Sequence, residues 1–147
     1  MELERIHPML VHFPIALLIT SVFLDFLRLV TKRDDFERSA FHLLFLGALS
    51  CIPVIIFGHI AADVASDRPH IADTIETHEA LGFITAVSFI ILLIVRYIFV
   101  KNDSFTNIKP YYLTAAVIGI SLLLTTAYYG GKLVYDYGAA VSAAILK

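Results

Sequence analysis

HPMLVHFPIALLITSVFLDFLRLV, residues 7–30, decides the fold. From about Met9 to Val30 the run is apolar enough, and long enough, to cross roughly 30 Å of hydrocarbon, which takes about 20 helical residues. Three more runs of this kind follow, at about 41–61, 80–100 and 111–128. Backbone polar groups in lipid must be satisfied within their own segment, so the runs are helices and not isolated strands. The whole chain has 147 residues, 59% of them hydrophobic, and a mean hydropathy of +0.80. A water-soluble domain of that size has too little interior to hide so much apolar side chain.

The sequence therefore predicts an all-α protein, an integral membrane up-down four-helix bundle forming one domain over residues 1–147. A net charge of −2 lacks the basic face that nucleic acid requires. The N-terminus has no basic region ahead of a short apolar stretch, so the first run reads as a retained span. Cys51 is the only cysteine, which excludes an internal disulfide and any cysteine-based zinc or iron–sulfur centre. Pro53 removes one hydrogen bond from the second span and predicts a kink there. Asp25 and Arg28, three apart near the end of the first span, are placed to pair.

Basic residues set the direction of the zigzag. Seven lie on the side of the connectors 31–40 and 101–110, and four on the side of the termini and the connector 62–79. The first side is predicted to be cytoplasmic, with both termini outside and the chain in the cytoplasmic (inner) membrane. Folded this way, His7, His12, His59, His70 and His78 share the outer face, and only His42 belongs to the other. Asp63, Asp67, Asp73, Glu76 and Glu79 surround them as a solvated acidic rim. Pro8 at a first helical position makes His7 a plausible helix start. His70 beside Pro69 reads as solvated, and His42 as interfacial. His12, His59 and His78 fall near one depth at the hydrocarbon margin, where ionisable groups are costly and tend to face a bundle interior. Imidazole also ligates metal while neutral. Gly130 and Gly131 read either as a C-cap or as a close approach to a cofactor.

Hydrolytic, phosphate-binding and dinucleotide motifs are absent. THEALG (77–82) begins like a zincin helix but lacks the second histidine.

IHPMLVHFPIALL (6–18), HEALG (78–82) and YGGKLVYDYGAAV (129–141) together resemble the membrane proteins grouped as domain of unknown function 2231. The resemblance covers nearly the whole chain. It implies a four-span bacterial or archaeal protein encoded with, or fused to, electron-transfer modules such as c-type cytochromes or Rieske domains. By position it carries over His7, His12 and His78, and Gly130, Gly131, Lys132, Leu133, Val134 and Tyr135. The chain departs from the pattern at Tyr137, where a histidine is common, and His59 is the candidate to compensate. The family brings no settled activity.

The leading expectation is a b-type cytochrome-like electron-transfer protein or subunit. Haem b would be held by His12 with His78, or by His59 with either, because axial ligation takes one imidazole from each of two facing helices. A quinone or a periplasmic cytochrome would be its partner. The alternatives are a copper or zinc site built on His12, His59 and His78, or on His7, His12, His78 and a carboxylate, and a non-catalytic scaffold of a respiratory complex. In the last case Gly47, Gly58, Gly82 and Gly119 would allow close helix packing. Transport by the chain alone is disfavoured, since mid-span positions carry no charge.

Overall fold

The computed structural model describes residues 6–65, 69–102 and 104–139. Arg5, Asp67, Arg68 and the tail beyond Ala139, all used in the topology argument, lie outside these residues. Five α-helices and one 3-10 turn make up the described chain: α1 Ile6–Leu10, α2 His12–Thr31, α3 Asp34–Ala65, the turn Pro69–Ile71, α4 Ala72–Lys101 and α5 Phe105–Tyr135. The short α1 and α2 together form the first span, Ile6–Thr31. Their break at Val11 has a local cause. Pro14 has no N–H to offer the Leu10 carbonyl, so the ladder loses one rung there. Helix α3, by contrast, runs unbroken through Pro53.

All four spans outrun the apolar windows that announced them. Asp34, Asp35 and Glu37 form the first turn of α3, where negative side chains complement the helix dipole. Asp73 does the same for α4. Connectors expected at 31–40, 62–79 and 101–110 are therefore mostly helix. Charged residues at a membrane margin end the apolar run without ending the hydrogen-bond ladder.

Consecutive helices pack antiparallel, with α2 against α3, α3 against α4, α4 against α5 and α5 back against α2. Helices α2 and α4 thus stand diagonally across the bundle. Each presents a single buried stripe. On α2 it comprises Pro14, Leu18, Ser21, Val22 and Asp25, and on α4 it includes Thr85, Phe89, Leu92 and Arg96. The spacings of 7 and 11 between such residues return to one helix face, since they make about two and about three turns at 3.6 residues per turn. Glycines let the helices close up. A Cβ on Gly47 would lie 2.6 Å from Leu18 Cδ2, and one on Gly119 would lie 3.1 Å from Phe89 Cζ. Phe13, Phe23, Ile52, Ile91 and Ile118 point outward. That outward apolar belt is what lipid requires and water would penalise.

Helix α5 passes straight through Gly130 and Gly131, so the double glycine is not its cap. The cap is Asp136, whose N–H donates to Lys132 O. Just beyond it Gly138, at φ 63°, turns the chain back, with Gly138 N–H donating to Val134 O and Ala139 N–H to Leu133 O, so that a left-handed residue lets the last free carbonyls be satisfied. Replacing Gly138 with alanine puts a Cβ into that conformation and is expected to cost about 1–2 kcal/mol. Thermal unfolding in detergent reads the loss.

Candidate functional site

The end of the bundle where α1 begins and α5 finishes holds a pair of imidazoles. The His7 Nδ1–H donates to Val54 O of α3 at 2.9 Å. The His78 Nδ1–H donates to Thr126 O of α5 at 3.0 Å. A carbonyl can only accept, so Nδ1 carries the proton in both rings and Nε2 keeps its lone pair. The rings stand 5.9 Å apart between centroids, with planes at 84°.

Each imidazole rests on a glycine one turn beyond the carbonyl it bonds. A Cβ on Gly58 would come within 2.9 Å of His7 Cε1, and one on Gly130 within 2.9 Å of His78 Cε1. Any side chain there would drive the ring off its carbonyl. Gly131 plays no such part; it lines an open groove of about 290 Å³ with Tyr128, Lys132, Tyr135 and Asp136. Below the rings, Thr85 and Thr126 share a hydroxyl hydrogen bond of 3.1 Å, which helps fix the segment of α5 whose carbonyl holds His78.

The structure redistributes the expected site residues. His7, read as a helix start, is half-buried and is the partner of His78. His12 is exposed. It follows His7 by five residues, which at about 100° per residue turns it to another face. His59 is also exposed, with 72% of its side chain accessible, and its Nδ1 meets Glu79 Oε1 at 3.1 Å. The expected cluster of His12, His59 and His78 is therefore not assembled. Among the described residues no three His, Cys, Asp or Glu side chains gather as a metal-binding group. Tyr137 packs beside Ile71, Ile75 and Leu133, with its ring 6.3 Å from that of His70. It lies outside the imidazole pair, so nothing requires His59 to compensate for it. His42 is exposed and bonded to Arg38 O, as an interfacial residue would be.

At the opposite end lies a feature the sequence reading missed. Asp25 does not pair with Arg28. It accepts two hydrogen bonds from Arg96, at 2.7 and 2.9 Å, and both side chains are 0% exposed. Arg96 also donates to Glu37 O at 2.9 Å and to the Tyr112 hydroxyl at 3.3 Å. Phe105, Tyr112 and Phe41 rings surround the guanidinium at 5.1, 5.4 and 5.9 Å. Glu37 in turn holds Lys109 at 2.7 Å, and Arg28 bonds Asp34 at 2.7 Å. The signal was available: Asp25 follows His7, and Arg96 follows His78, by 18 residues.

Four apolar helices of membrane-crossing length, with their buried stripes turned inward, define a multi-span membrane protein of the helical-bundle class. The model of domain of unknown function 2231, described as a predicted membrane protein, matches residues 4–143, and the chain belongs to that family. No curated protein and no solved structure matches it.

Proposed function

We propose that His7 and His78 would hold a haem b and that the protein is a membrane electron-transfer subunit. The observation that carries this reading is the paired geometry: two imidazoles, one from α1 and one from α4, each locked by an Nδ1–H bond to a carbonyl. That outer bond is the usual means of orienting a metal-ligating histidine. The two ring centroids lie 5.9 Å apart. Only two protein ligands converge, which suits an iron that takes its remaining ligands from a porphyrin. Gly58 and Gly130 make room for the rings themselves, since a Cβ at either would fall within 2.9 Å of Cε1. When bound, the haem would supply one-electron exchange. This chain's own residues orient the imidazoles, fix their tautomer and exclude bulk solvent from one side.

The bias of Lys and Arg toward the Asp25–Arg96 end favours placing the haem at the outer face, within reach of a quinone or a periplasmic cytochrome. Glu79, bonded to His59 beside the pair, gives the rim a negative charge that would steer a basic partner.

The test is an absorption spectrum of the detergent-purified protein, made with ample haem. A Soret band is expected, lost in both His7→Ala and His78→Ala and kept in His12→Ala and His59→Ala. No Soret band in the wild type overturns the haem reading. A stoichiometric copper without porphyrin would instead assign the pair to a two-coordinate metal.

A further inference from the structure

The two ends of the bundle share a hidden regularity. Seventy-one residues separate His7 from His78, Leu18 from Phe89 and Asp25 from Arg96. Seventy-two separate Glu37 from Lys109, Gly47 from Gly119, Val54 from Thr126 and Gly58 from Gly130. These are not coincidences of composition, because each member repeats the contact of its counterpart. His7 bonds Val54 O and rests on Gly58, as His78 bonds Thr126 O and rests on Gly130. Leu18 rests on Gly47 as Phe89 rests on Gly119. Residues 6–65 and 69–135 are thus two helix hairpins built to one plan. Both start at the same end, so a rotation about the long axis of the bundle relates them, the arrangement of parallel repeats.

On such an axis, equivalent residues from the two hairpins meet each other. His7 meets His78. Asp25 meets Arg96, and Glu37 meets Lys109, each with opposite charge. Two copies of the first hairpin, paired in the same way, would set Asp25 against Asp25 and Glu37 against Glu37. Two copies of the second would set Arg96 against Arg96 and Lys109 against Lys109. Like charges buried together repel strongly and are disfavoured. The imidazoles, glycines and carbonyls suit any pairing; the charges discriminate.

We infer that the Asp25–Arg96 and Glu37–Lys109 pairs are a pairing code, which makes the first hairpin take the second as its partner and rejects its own kind. The surface they mark is an interface between hairpins, and its fitting partner is any hairpin of the opposite code, including one on a second copy of this chain. The code does not depend on what the imidazoles hold.

The test uses two full-length chains carrying different tags. Asp25→Arg with Glu37→Lys makes both hairpins of one chain basic, and Arg96→Asp with Lys109→Glu makes both hairpins of the other acidic. Expressed alone, each is expected to lose at least about tenfold in recovery of monodisperse protein, since a buried charge is left without its partner. Expressed together, they are expected to co-purify as a 1:1 complex of twice the monomer mass. In that complex the unaltered first hairpin of one chain meets the unaltered second hairpin of the other, with both ion pairs intact. If the co-expressed chains stay apart and aggregate as they do alone, the code is overturned. So it is if either variant alone is as monodisperse as the wild type. Mass and tag recovery carry the result, so a failed haem assignment leaves it standing and a failed code leaves the haem assignment standing.

Discussion

Arg96→Ala is expected to be the most damaging single substitution in the protein, at about 3–5 kcal/mol. It leaves Asp25 with no access to water and no guanidinium, having lost both bonds of the bidentate pair. It also strips the Glu37 carbonyl and the Tyr112 hydroxyl of a partner, and empties the space among Phe41, Phe105 and Tyr112. Arg96→Lys rescues only part, because an ammonium does not reproduce the planar fork that spans both carboxylate oxygens. The double variant Asp25→Leu with Arg96→Met removes the charge problem altogether and is expected to approach wild-type stability. Denaturant titration in mixed micelles reads all three. Arg96→Ala unfolding at the wild-type midpoint would mean that the pair does not stabilise the bundle.

The second large effect belongs to the glycines under the imidazoles. Gly58→Val or Gly130→Val is expected to weaken binding of the proposed haem about 10–100-fold, the range typical when the outer partner of a metal-ligating histidine is lost. The variant touches no ligand. It acts by pushing a ring from its carbonyl, because an added Cβ already falls within 2.9 Å of Cε1. NMR of isotope-labelled histidine gives a second readout that needs no cofactor. The Nδ1–H tautomer is expected at both His7 and His78 in the wild type, and at only one of them in each glycine variant. Gly131→Val, facing the open groove, serves as the control and is expected to leave both signals in place.

The bundle was legible because lipid imposes a crude rule. A helix must be long and apolar to cross, and four such runs are plain in the chain. The limits of those helices were less legible, since Asp34 or Asp73 ends hydrophobicity without ending a helix. The site was half legible. Depth in the membrane picked out His78, and it also picked out His12 and His59, because depth follows from position along the chain. Which face a residue occupies follows from angle, and angle separates His7 from His12. The stripe His7, Pro14, Leu18, Asp25, followed along the first span, leads to His7 and the buried carboxylate together. Arg96 was hidden for another reason. Its partner stands 71 residues away, beyond the reach of any local pairing rule.

Between the imidazoles and the Asp25–Arg96 pair, about 27 Å of helix at 1.5 Å per residue, the axis is closed by Leu18 and Phe89. Both are fully buried against glycines. A layer of that kind offers a proton no relay and a water file no lodging. A proton or a water that enters at the imidazole end therefore leaves by that end, and the two polar ends of the bundle are separate compartments.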